Sequence, residues 1–186
     1  MALTDKLPAS LTARVPRTYA DLAGFLGSAE AMRRFMNLWP PFLCSSIHIT
    51  AIDADFRHVR VRLRKHRLTA NYVGTQYGGS LYSMTDPFWM LMVLRNLGPG
   101  YVVWDKAAEI EFVSPGRTEV STEFRLTEEH LAQIRRETAD GGKCLVWFDN
   151  EVVATDGSVV ARVRKQVYVR RKPGSDRDRR GVSTGR

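Results

Sequence analysis

The stretch Asn71-Tyr-Val-Gly-Thr-Gln-Tyr-Gly-Gly-Ser-Leu-Tyr-Ser-Met-Thr-Asp86 opens an apolar segment with a pair of glycines and sets one carboxylate eight residues after the first of them. Gly78 and Gly79 let a backbone approach a ligand with no Cβ in the way, and the first N–H groups of a helix, lacking intrahelical partners, point outward as oxyanion donors. Asp86 is flanked by Leu81, Met84, Phe88, Trp89, Met90, Leu91, Met92, Val93 and Leu94. An ionised carboxylate in apolar surroundings is costly unless it is hydrogen-bonded or used in chemistry.

Outward from this stretch the chain reads as strands around one apolar helix. The expected helix runs from about Ser80 to Leu97 and is terminated by Gly98-Pro99-Gly100, with Pro87 placed to disturb its ladder locally. Ahead of it, Ile47 to Asp53 and Arg57 to Lys65 read as two strands joined at Ala54-Asp55, the second alternating Val59, Val61, Leu63 with Arg60, Arg62, Arg64. Behind it come strands over Tyr101 to Val113 and Arg117 to Leu126, separated by Ser114-Pro115-Gly116, then a short helix capped by Thr127. Gly141-Gly142 break that helix before a hairpin of Lys143 to Ala154 and Val159 to about Arg170, turned at Asp156-Gly157. Near the start, Thr18 is a candidate N-cap for an amphipathic helix from Tyr19 to Met36 that Pro40 and Pro41 stop. The fold class is therefore α+β, a curved antiparallel sheet wrapped around a central helix.

The quoted stretch resembles the hotdog-fold thioesterases of the phenylacetyl-CoA type, whose pattern is Asn-x-x-Gly-x-x-His-Gly-Gly, six residues and Asp. Asn71, Gly74, Gly78, Gly79 and Asp86 match it, and Tyr77 stands where that family has His. A weaker similarity runs through Lys106-Ala-Ala-Glu-Ile-Glu-Phe-Val-Ser-Pro-Gly116, so the resemblance covers roughly 42–171. It implies hotdog topology, an acyl-CoA thioesterase, and composite sites at a dimer interface, with the carboxylate and the glycine amide supplied by opposite subunits. Spacing leads to the same arrangement, because eight residues of helix rise about 12 Å, too far for Gly78 and Asp86 of one chain to flank a single carbonyl. Two antiparallel helices of a homodimer bring them together twice by symmetry. Two such dimers could assemble into a tetramer.

The expected roles follow. The Gly78 N–H polarises a thioester carbonyl, Asp86 acts as nucleophile or general base, and Asn71 orients water or carbonyl. Tyr77 hydrogen-bonds in place of the family His, and Gly79, Ser80 and Asp105 are further substrate contacts. Each has a plainer reading: Asn71 and Gly74 as turn builders, the glycines as packing, Asp86 as a structural acid. Their joint spacing favours the site. Two other activities compete. One is a dehydratase or hydratase on an acyl thioester, which usually needs a His that the motif lacks; the other is a non-catalytic acyl-CoA or fatty-acyl binding protein.

Composition sets the outer bounds. The 186 residues, 44% hydrophobic and 26% charged, suit one domain, divided here into an N-terminal helical segment (1–41), the hotdog domain (42–171) and a tail (172–186). The tail holds five basic and two acidic residues, so it contributes +3 of the net +8, and its composition predicts disorder. The longest apolar run, Phe88 to Leu94, is seven residues, far below the roughly 20 of a membrane span. No secretory signal precedes it, and Cys44 and Cys144 lack metal or redox spacing and are expected to be buried, which fits a cytoplasmic protein. His48, His58, His66 and His130 show neither nucleophile context nor zinc-ligand spacing, so no metal or cofactor is expected. No helix-turn-helix or aromatic platform accompanies the basic charge, which argues against nucleic acid. Arg162, Arg164, Arg170 and Arg171 could meet coenzyme phosphates, but a solvated strand face explains their alternation better.

Overall fold

Alternating apolar and polar side chains pair six segments into one antiparallel sheet in a computed structural model that describes residues 27–174. The strands are β1 (Ile47–Ile52), β2 (His58–Leu63), β3 (Tyr101–Phe112), β4 (Val120–Arg125), β5 (Lys143–Ala154) and β6 (Val159–Arg171), in the spatial order β1-β2-β4-β5-β6-β3. The helices are α1 (Ala29–Leu38), α2 (Pro40–Cys44), α3 (Gly78–Ser83), α4 (Phe88–Leu97) and α5 (Glu128–Glu137). This is the α+β hotdog arrangement, with α3 and α4 packed against the curved sheet. Among the described residues no helix is long and apolar enough to cross a membrane.

Helix α4 is the centre of the core. Phe88, Trp89, Met92 and Val93 recur on one broad face and are buried. Trp89 stacks on Phe148 of β5 at 4.4 Å between centroids and meets Phe124 of β4 edge-on at 5.5 Å. Its indole N–H donates to Asn150 Oδ1 at 3.1 Å, and Asn150 Nδ2 donates to Thr122 Oγ1 at 2.9 Å, so the buried polar groups are satisfied within the core. At the other end Asn96 donates to the Asp55, Phe56 and Met92 carbonyls, fastening the β1–β2 turn, where Phe56 has φ 56°. Arg95 lies 4.3 Å from the Phe56 ring centroid.

The expected single helix from Ser80 to Leu97 is divided. Pro87 has no N–H to give the Ser83 carbonyl, which instead accepts from Asp86 at 3.3 Å, and Thr85 Oγ1 donates to the Tyr82 carbonyl at 2.7 Å. The ladder restarts when Leu91 N–H donates to the Pro87 carbonyl. The break covers residues 84–87 and lets the Asp86 side chain leave the path of the helix.

Other boundaries differ for local reasons. The expected cap Thr18 and residues up to 26 lie outside the described residues; the described helix begins at Ala29, capped by Ser28 Oγ, which accepts from Ala31 N–H at 3.1 Å. Pro40 and Pro41 follow its end and open α2, where a missing N–H costs nothing. Ala29, Met32 and Met36 of α1 join the common core, and Asn37 pairs with both backbone groups of Ile49. Strand β4 starts at Val120 rather than Arg117, because Gly116 and Thr118 spend their carbonyls on Gln76. Of the tail, residues 175–186 lie outside the described residues.

Cys44 is exposed, contrary to expectation, because it sits on the outer side of the short helix α2; Cys144 is buried on the inner face of β5. Burial, reinforced by Glu137, pushes the Cys144 thiol up to about 12. Ellman's reagent at pH 8 is therefore expected to label one thiol of the native protein quickly and the second only after denaturation. Asn150→Leu leaves Trp89 Nε1 without its acceptor and is expected to lower stability by about 1–3 kcal/mol in urea titrations.

Candidate active site

A tight turn delivers the chain to the glycine pair. Asn71 Oδ1 accepts from Thr75 N–H at 2.9 Å, while Asn71 Nδ2 donates to Thr75 Oγ1 at 2.8 Å and the Gln76 carbonyl at 3.3 Å. Gly74 sits in the left-handed region at φ 78°, which the turn requires. The Asn71 amide is thus engaged in building the turn. Buried Gln76 does what no spacing argument anticipated: its Nε2 donates to the Leu63 and Thr118 carbonyls and its N–H to the Gly116 carbonyl at 2.8 Å. It ties the loop to β2 and to the segment before β4, and so sets where α3 begins.

Tyr77 occupies the N-cap of α3 without a side-chain cap bond and is 57% exposed. Its ring lies across Gly79, where a Cβ would come 2.4 Å from a ring carbon. A Cβ on Gly78 would meet the Phe112 ring at 3.1 Å, so both glycines admit an aromatic ring close to the helix start. Ser80 is buried. Gly78 borders an open cleft of about 430 Å³ with Asn71, Leu81, Phe112, Pro115 and Arg117. Asp86 does not line that cleft.

Asp86 instead meets Lys165, a residue the sequence reading passed over. Lys165 Nζ donates to Asp86 Oδ1 at 2.6 Å, to Asp105 Oδ2 at 3.3 Å and to the Tyr82 hydroxyl at 3.5 Å. The Lys165 side chain is 1% exposed and that of Asp86 49%, so the cation is sealed in while the carboxylate keeps an open side. Burial alone would lower Lys165; the hydrogen bond to Asp86 and the pull of Asp105 outweigh it and hold the ammonium above the ordinary lysine range. Burial lifts Asp105 above the usual carboxylate range against the opposing effect of Lys165, and the neighbouring Asp86 adds to the rise. Asp105 Oδ1 is buried with no partner.

The sequence did carry a signal for Lys165. Along β6 the inward positions are Ala161, Val163, 165, Val167 and Val169, and the middle one is a lysine among apolar residues. On β3 Asp105 continues the inward alternation of Tyr101 and Val103 and so faces the same inner side; the register shifts just after it, between Asp105 and Ala107.

On the outer face Arg162 pairs with Glu151 and Glu111, and Arg164 with Asp149 and Glu109. Arg170 donates to the Gly141 carbonyl at 3.1 Å. These matched charges favour the solvated-face reading of the arginines over coenzyme contact.

A family profile described as Domain of unknown function (DUF4442) matches residues 27–169. Similar solved structures include a Pseudomonas aeruginosa protein of unknown function described as a probable thioesterase, with 20% identity, a TM-score of 0.68, and coverage of 77% of this chain and 95% of that one. A Haemophilus influenzae thioesterase matches at 11% identity and a TM-score of 0.55, covering 76% and 90%. The Escherichia coli PaaI protein from the phenylacetic acid degradation operon matches at 17% identity and a TM-score of 0.51, covering 80% and 93%. No curated protein sequence matches the chain. At these identities the likeness establishes a shared fold.

Gln76→Ala strands two carbonyls and empties a buried position, so the expected loss is about 1–3 kcal/mol, read as a lower urea midpoint at unchanged slope.

Proposed function

The chain belongs to the family described as Domain of unknown function (DUF4442), and on that premise we propose that it hydrolyses an acyl-CoA thioester at sites shared between two copies of itself. The observation that carries this reading is Asp86: half exposed at a break between two helices, gripped on one oxygen by a buried ammonium, and eight residues from a glycine-opened helix. A carboxylate of that kind can deprotonate water or attack a carbonyl. The thioester carbonyl lies against the Gly78 N–H, with Asn71 and Tyr77 bordering it and Gly79 allowing the close approach. Ser80 and Asp105 act from beneath, Ser80 through packing and Asp105 through Lys165. Water adds to the carbonyl carbon, the C–S bond breaks, and CoA leaves as thiolate with the free acid.

Two features support a shared site. The cleft beside Gly78 lacks Asp86, and among the described residues β3 ends the sheet with a 12-residue strand paired on one side only, carrying exposed Trp104 and Phe112. A free edge of that length is a template for a second strand. Edge-to-edge pairing of two β3 strands forms a homodimer and draws the Gly78 end of one chain toward Asp86 of the other. A further pairing of two dimers is compatible with the same arrangement.

The test measures thiol release from short, long and aromatic acyl-CoA substrates. Asp86→Asn is expected to lower kcat by about 10²–10⁴-fold. Gly78→Pro removes the amide at the first helical position, where proline is tolerated, and the extended backbone of Tyr77 (ψ 128°) suits a following proline. Its Cβ comes 3.1 Å from the exposed Phe112 ring, which must yield slightly, and the variant is expected to be folded by circular dichroism and inactive. Random reassociation of the two variants restores one intact site in each mixed dimer, about a quarter of wild-type activity. No restoration places both groups in one chain, and tight acyl-CoA binding without thiol release at any chain length replaces catalysis with a binding role.

A further inference from the structure

Lys165 has no part in the motif that points to the site, yet it is the group that Asp86 touches most closely. We infer that Lys165 is a positioning residue for Asp86: it holds Oδ1 and turns Oδ2 toward the substrate, while Asp105 and Tyr82 fix the ammonium from behind. This rests on the reading of Asp86 as the working carboxylate.

The hydrogen-bond inventory supports it. An ammonium has three N–H donors, and Lys165 has three acceptors within 3.5 Å: Asp86, Asp105 and the Tyr82 hydroxyl. The shortest contact, 2.6 Å, goes to the more exposed of the two carboxylates. Lys165 comes from β6, Asp105 from β3 and Asp86 from the α3–α4 break, so three elements are pinned by one cation. Stability is poorly served by such a cluster. A buried ion pair is often no better than apolar packing, and Asp105 Oδ1 is left buried and unpaired. Two carboxylates around one cation, one 49% exposed and the other 26%, are the base and orienter arrangement that general-base chemistry needs.

Lys165→Met keeps an unbranched side chain one atom shorter and removes its charge; Asp105→Asn leaves the Lys165–Asp86 contact in place. The charged and titratable groups facing Lys165 are Asp86, Asp105 and Tyr82, so the pH response belongs to this cluster as a unit. For Lys165→Met, kcat is expected to fall about 10–100-fold with KM within about two-fold, and the acid limb of the kcat/KM profile to move up. In Asp105→Asn that limb stays or moves down, because a neighbouring negative charge is gone. A uniform loss at every pH with the limb unmoved, or an upward move in Asp105→Asn, overturns the inference. Should Lys165→Met fail to fold, Lys165→Gln is held to the same expectation. Carboxyl 13C titration of aspartate-labelled protein reads the coupling without any substrate, the Asp86 signal being the one lost in Asp86→Asn. Its midpoint moves up in Lys165→Met, and a midpoint that does not move overturns the inference. A moved midpoint in a protein that hydrolyses no thioester leaves the coupling standing and rejects the proposed activity instead.

Discussion

Burial of the Phe88–Leu97 helix on the concave side of the sheet is the constraint on which the rest of the molecule depends. Phe88, Trp89, Met92 and Val93 cannot be covered by one neighbouring helix alone; they need a surface that curves around them, and β4, β5 and β6 supply it through Phe124, Phe148 and the valines of β6. Fully burying a side chain of this kind is worth about 1.5–3 kcal/mol, so the few residues of this face outweigh any single polar contact in the site. Once the helix is seated, its start is also placed, and the break at 84–87 must fall beside β6 and β3. The position of Asp86 is thus a consequence of hydrophobic packing further along the same helix.

The two faces of the sheet carry charge in opposite ways. Outside, arginines of β6 alternate with carboxylates of β3 and β5 in exposed pairs, each worth little because water screens them. Inside, one lysine is stripped of water and retained by two aspartates and a tyrosine. The outer pattern accounts for Arg162 and Arg164 without any partner molecule. The inner one has no such explanation in solubility, and it lies at the break between α3 and α4, beside β3.

Much of this was legible. The alternation of Val59, Val61 and Leu63 with arginines, the Asp156-Gly157 turn and the Thr127 cap each specify local structure through contacts a few residues apart. The glycine pair and the spacing to Asp86 were legible because they are a local pattern with a chemical reason. The helix break was half legible, since Pro87 announces a lost hydrogen bond but not whether the helix bends or restarts. Asn71 was read both as a turn builder and for chemistry, and its amide does build a turn with Thr75 and Gln76; Gln76 itself gave no sign, because its two carbonyl partners lie on other segments.

Periodicity and turn chemistry by themselves determined the strands, the apolar helix and the residues at its mouth, because those follow from interactions between near neighbours. Only the tertiary structure decided what Asp86 faces. Lys165 is 79 residues further along and Asp105 lies 60 residues before Lys165, and they meet because the β3–β6 pairing sets both on the inner side of the sheet beside the helix break. A lysine in a run of inward-facing valines shows in the sequence that something must neutralise it. Which carboxylates do so is set by strand register and sheet curvature, which no local pattern contains.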